Sequence, residues 1–167
     1  ASFEFRAQTL RHFNPLPFLL QLLLEVQELR AQAGALYTVL AELYSNALEH
    51  GVMGLDSSLK RDAAGFTRYY TERSQRLAEL EDGYVRFHLQ VQPEPAGGRL
   101  LVRVEDSGAG FDPHVVMAQA QTPGSLSGRG LELVRQLAER CSYTVDGRGV
   151  CVEFCWTTQV EGGLYFG

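Results

Sequence analysis

From Tyr84 onward the hydrophobic period of the chain shortens from 3.6 residues to two, and that change narrows what it can fold into. In "YVRFHLQV", Val85, Phe87, Leu89 and Val91 alternate with polar neighbours, as a strand with one buried face requires. "PEPAGG" then makes a turn and "RLLVRVED" a second strand. Near the end, "YTV", the turn "DGRG" and "VCVEFCW" form a hairpin with Val150, Val152, Phe154 and Trp156 on one face. Strands joined mostly by tight turns cannot all be parallel, because a parallel pair needs a long crossover. The sheet is therefore expected to be mixed and mostly antiparallel.

Ahead of that region the pattern is helical, apart from "SFEFRAQ", where Phe3 and Phe5 alternate as in a short strand. Asn14-Pro15 is a helix start signal, and residues 16 to about 31 are apolar nearly all round. Gly34 interrupts. Leu36, Val39, Leu40, Leu43 and Ala47 mark a second helix over about 35 to 50, which Gly51 is expected to end. A polar turn leads to a charge-rich surface helix, Leu59 to Glu81, with Phe66, Tyr69, Tyr70, Leu77 and Leu80 near one face. A last helix is predicted over about 129 to 141, with Leu131, Val134, Leu137 and Cys141 inward. The order is that of an α+β fold, a two-layer α/β sandwich with helices on one face of the sheet.

Length and charge exclude several function classes. A chain of 167 residues suits a single domain, expected over 1–158, with 54–82 as an inserted helical segment and 159–167 as a flexible tail. Net charge is −5 without a Lys/Arg-rich face, which argues against a nucleic-acid or anionic-membrane partner. The apolar run Leu16 to Val26 is too short to span a membrane and contains Gln21 and Glu25. Cys141, Cys151 and Cys155 lack disulfide or zinc spacing and read as buried free thiols in a reducing, cytoplasmic compartment. The first residue, Ala1, suggests a processed protein or a domain of a longer one.

Three short segments carry candidate chemistry. In "ELYSNALEHG", Glu42 and Asn46 lie one helical turn apart and project to the same side. A carboxamide oxygen suits Mg²⁺, which keeps waters and takes phosphate oxygens besides, and a carboxylate beside it can accept a proton. In "VEDSGAGFDP", Asp106 ends a predicted strand, with Gly108 and Gly110 at alternate positions after it. Glycines so placed let backbone approach a flat ligand, and the carboxylate can accept from an exocyclic amino group such as adenine's. In "SLSGRGLELV", Gly128 and Gly130 sit where a loop becomes a helix, an arrangement that favours anions but lacks the phosphate-loop lysine. Taken singly, a solvated helix edge and a plain turn explain the first two segments better than a ligand site does, and the third is a weak signal that a structural helix start also explains.

In this order and spacing the segments resemble the GHKL superfamily, the Bergerat-type nucleotide-binding fold of gyrase-type ATPases, histidine kinases and mismatch-repair ATPases. "ELYSNALEHG" looks like its N box, "DSGAG" its first glycine box and "SGRGLELV" its second, over roughly residues 3 to 157. The E-x-x-x-N-A-x-x-H-G form of the N box is most similar to bacterial anti-sigma-factor serine kinases, whose relatives also end response regulators that carry a serine phosphatase module. The resemblance implies ATP and Mg²⁺ as cofactors, Glu42 as general base toward a Ser or Thr hydroxyl and Asn46 as the metal ligand. It implies that Asp106 reads adenine with Gly108 and Gly110 shaping the pocket, that 111–127 is a lid, and that Gly128, Arg129, Gly130 and Leu131 meet the phosphates. His50 occupies a typical position, with a structural helix-end role as the alternative.

The implied function is phosphorylation of a small anti-sigma-factor antagonist, with a sigma factor as a second partner; members of the group often pair as homodimers. Two departures stand out. Some relatives carry an Arg where this chain has Leu126, while Arg129 falls between the glycines, and the 54–82 segment is longer than a minimal member needs. Its Tyr69/Tyr70 face admits dimerisation, partner binding or packing on its own domain. The rival readings are a non-catalytic binding clamp and a histidine kinase catalytic domain, the latter to be revived by acid-labile phosphate on His12.

Overall fold

The computed structural model describes residues 1–56, 60, 62–109, 129–144 and 146–158. Five strands form one sheet: β1 (Ser2–Arg6), β2 (Tyr84–Glu94), β3 (Gly97–Asp106), β4 (Arg140–Tyr143) and β5 (Gly149–Thr157). Their order is β1-β2-β3-β5-β4, and every pairing among the described strands is antiparallel. The alternation seen in the sequence is the cause. Phe5, Val85, Phe87, Leu89, Leu100, Val102, Val104, Val150, Val152 and Phe154 all bury one face. Register places them opposite one another, as in Phe87 with Val104, Val102 with Val152 and Leu100 with Phe154. The other face carries a ladder of ion pairs, Arg86 with Glu4 and Glu105 and Arg99 with Glu153, and remains polar.

Helices cover the apolar face. They are α1 (Ala7–Leu10), α2 (Leu16–Leu23), α3 (Ala33–Ser45), α4 (Ala63–Ala78) and α5 (Arg129–Leu137), with a 3₁₀ turn at Gln27–Gln32 and a π-helical segment at Asn46–Val52. Leu19, Leu29, Leu36, Val39, Leu40 and Val134 are fully buried against the strands. Asn14 Oδ1 accepts from the Leu16 N–H, so the Asn14-Pro15 start signal acts as read.

Several elements differ from expectation, each for a local reason. The first long helix stops at Leu23 rather than near 31, because Val26 is extended and the chain restarts as a 3₁₀ turn. Gly34 lies inside α3 instead of interrupting, in open space that demands nothing of it. The short α1 had no periodic signal. Gly51 does not end a helix: the chain runs through it in π form to Val52, and the left-handed glycine is Gly54 at φ 63°.

The surface helix is shorter, Ala63–Ala78, capped by the Asp62 side chain accepting from Gly65 N–H at 2.6 Å. The two tyrosines on it part company, Tyr69 being fully buried and Tyr70 48% exposed. In α5, Leu131 and Val134 point inward, but Leu137 is on the surface and Cys141 belongs to β4. The core position expected of Cys141 is taken by Ala138. All three cysteines are free as read, but none is buried: Cys141 and Cys151 are half-buried and Cys155 is exposed. Among the described residues no helix is long and apolar enough to cross a membrane.

Candidate functional site

Three missing side chains show where the motifs meet. A Cβ at Gly51 would run into the carboxyl group of Asp106. One at Gly108 would strike the Gly51 carbonyl and lie 2.7 Å from Asp106 Oδ1. One at Gly130 would collide with Glu42 Oε2. The end of "ELYSNALEHG" is thus packed on "DSGAG", and its beginning on the start of α5, although these segments lie far apart in sequence.

Asp106 ends β3, paired with Val85, with its own N–H donating to the Arg148 carbonyl at 3.0 Å. Only 7% of it is exposed. Its Oδ1 accepts the Gly108 N–H at 2.8 Å, and among the described residues no donor reaches Oδ2. Burial pushes this carboxyl up to about 6, against the pull of the Gly108 N–H and the Arg148 charge. A buried carboxylate with an open oxygen is unstable alone and suited to a ligand's N–H donor.

Glu42 lies on α3, half-buried beside Gly130. Burial raises its pKa, the Lys60 charge opposes this and Glu49 adds to it. A carboxylate moved upward from its ordinary value is a better proton acceptor near neutral pH. Asn46, one turn on, opens the π segment, and among the described residues its carboxamide makes no hydrogen bond. That freedom fits a metal ligand. Among the described residues no three His, Cys, Asp or Glu side chains gather as a metal cage.

The first turn of α5 lies against Glu42, since a Cβ at Gly130 would meet the Glu42 carboxyl group. Leu131 buries its side chain in the core, so only its backbone is on offer there. His50 Nδ1 donates to the Leu55 carbonyl at 2.8 Å, and its ring lies 6.3 Å from that of Tyr69. This bond ties His50 to the chain that leaves the π segment. Gly110, Leu126, Gly128 and the expected lid over 111–127 lie outside the described residues, as does the expected tail.

Sequence reasoning passed over Glu49. It is 4% exposed and accepts from Ser45 Oγ and Tyr69 Oη, both at 2.5 Å, and from Arg73 Nε at 3.1 Å, with Lys60 Nζ at 3.8 Å. Burial pushes its pKa up, but the Ser45 and Tyr69 hydrogen bonds with the Lys60 and Arg73 charges outweigh it and hold the carboxyl below its ordinary range. A legible signal existed: Ser45/Glu49 and Tyr69/Arg73 are both i, i+4 pairs on predicted helices. A shallow depression of about 740 Å³ on the outer side of α4, lined by Phe66, Thr67 and Tyr70, contains none of these groups.

The family model described as the histidine kinase-like ATPase domain matches residues 21–156 of the chain, a span that includes every group above. No curated protein and no solved structure matches it.

Proposed function

The chain belongs to the histidine kinase-like ATPase domain family, and on that premise we propose that it is a Mg·ATP-dependent protein serine/threonine kinase acting on a small anti-sigma-factor antagonist in the cytoplasm. The observations that carry the reading are two close approaches to the Glu42–Gly51 segment that holds Asn46: Asp106 and Gly108 against its end at Gly51, and the first turn of α5 against its beginning at Glu42, through Gly130. Asp106 accepts the adenine amino group on its open oxygen. Asn46 holds the metal through its carboxamide oxygen, and the α5 N–H groups face the phosphates. Magnesium supplies charge neutralisation on the phosphate oxygens when bound. Glu42 takes the proton of the acceptor hydroxyl as that oxygen bonds to the terminal phosphorus and the bond to the ADP oxygen breaks.

Phosphoryl transfer asks mostly for positioning and electrostatics, which these groups are placed to supply. The test incubates the full chain with labelled ATP, Mg²⁺ and a candidate antagonist, comparing wild type with Glu42→Gln. Serine or threonine phosphate formed by wild type and lost in Glu42→Gln, with nucleotide still bound, supports the kinase. Binding without transfer in either protein indicates a non-catalytic clamp instead.

A further inference from the structure

We propose that the cavity between α3, α4 and the turn after α1 is a second binding site, taking a small molecule with one carboxylate on an apolar body. The site is separate from the nucleotide pocket proposed above and does not depend on it.

The cavity has a volume of about 380 Å³, and Glu42, Asn46, Asp106 and Gly130 are not among the residues that line it. Helix geometry keeps the two apart. Ala41, Tyr44 and Ser45 recur at i, i+3 and i+4 on α3 and line the cavity. Glu42 and Asn46 lie roughly 130° away around the same axis. The chain leaving α1 contributes Arg11, α2 contributes Leu16, and the inserted helix α4 contributes Arg73 and Leu77, one turn apart.

Charge and hydrogen bonding decide what fits. Among the described residues no Asp or Glu lines the cavity, although the whole chain carries a net charge of −5. Arg11 has no ion pair and no side-chain hydrogen bond among the described residues, and its Nε is buried without a partner. Arg73 gives its Nε to Glu49 at 3.1 Å, and its terminal nitrogens donate no hydrogen bond among the described residues. The Tyr44 hydroxyl likewise lacks a partner among them. Burial pushes this phenol up to about 12 against the pull of the Arg73 charge, so it stays a neutral donor near pH 7.

Unpaired donors in a partly buried place are costly, and a free guanidinium fork matches the two oxygens of one carboxylate. Much of the remaining wall is apolar, with Leu16, Leu48 and Leu77 in it. Such walls would strip water from a phosphate without replacing its hydrogen bonds, whereas an alkyl or aryl body gains by burial against them. An apolar wall with a few orienting polar groups is the usual form of a small-molecule site.

The experiment titrates octanoate calorimetrically into the full chain, beside 1-octanol and inorganic phosphate. One octanoate should bind per chain, about tenfold or more tighter than either comparison compound. Arg11→Met removes a charged donor and should weaken octanoate by about tenfold or more. It breaks no side-chain bond among the described residues, so it remains informative if another variant fails to fold. Ala41→Leu adds bulk to the wall, keeps every charge and should also weaken octanoate several-fold. Saturating Mg·ATP should leave octanoate affinity within about twofold. No octanoate binding, or an affinity that Arg11→Met or a folded Ala41→Leu leaves unchanged, overturns the site. So does octanol or phosphate binding as tightly as octanoate. Displacement of octanoate by Mg·ATP overturns it as well, because the probe would then sit in the nucleotide pocket.

Discussion

Glu49 and Asp106 are the two buried acidic residues among those described, and they are solvated by the protein in opposite ways. Glu49 receives hydroxyl and guanidinium donors on both oxygens with an ammonium nearby, and its pKa falls. Asp106 receives one backbone N–H within the described residues, and its pKa climbs to about 6. The first is a finished interaction inside the fold. The second is half an interaction, whose other half a ligand supplies in the function proposed above. Burial alone would not have separated them; the count of donors does.

The contrast can be broken most forcefully at Glu49. Glu49→Ala strands Arg73, Lys60 and the Tyr69 hydroxyl, and should cost about 3–5 kcal/mol of stability in urea unfolding. Asp106→Asn keeps the Gly108 bond and removes an uncompensated charge, so the same assay at pH 8 should register no loss. If the two substitutions destabilise equally, the distinction between them is wrong.

Next in size is the effect on the ligand. Losing a charged acceptor for the adenine amino group is worth about 1.5–3 kcal/mol, so Asp106→Asn should weaken ATP binding roughly 10- to 100-fold. The pH dependence follows with opposite signs. Asp106 has a folded pKa above its unfolded value of 3.8, so the folded state holds the proton longer and stability declines as pH rises from about 4 to about 6. Against Asp106→Asn, that decline should amount to about 1–2 kcal/mol after allowance for solvent screening, and then level off. Glu49 has a folded pKa below 4.5, so its contribution is full above that pH and is lost as pH falls through the folded value.

The smallest test separates adjacent tyrosines. Tyr69→Phe should cost about 1–2 kcal/mol for a buried hydrogen bond, whereas Tyr70→Ser should stay within about 0.5 kcal/mol. A larger effect at Tyr70 would mean that the outer face of α4 supports the fold in a way its exposure does not suggest.

How much of this could be read beforehand varied with the kind of signal. Period-two alternation made β2, β3 and β5 legible to within a few residues, because one buried face dictates it. Helix ends were less so. The stop at Leu23 depends on one extended residue, Val26, which carries no breaker chemistry. Gly51 was misread as a cap because a glycine wanted for close approach to Asp106 looks the same in sequence as one wanted for a left-handed turn. Glu42, Asn46 and Asp106 stood out by motif. Glu49 did not, since its donors arrive from a helix some twenty residues later and a lone Glu beside a His normally faces solvent.

The central claim is that a single nucleotide spans the Asp106 end and the Asn46 end of one pocket. Calorimetric titration of the full chain with ATP and Mg²⁺, repeated on Asp106→Asn and on Asn46→Ala, tests it most directly. The account predicts one nucleotide bound per chain and a weaker complex in each variant. No binding by wild type, or binding that neither substitution disturbs, would contradict it.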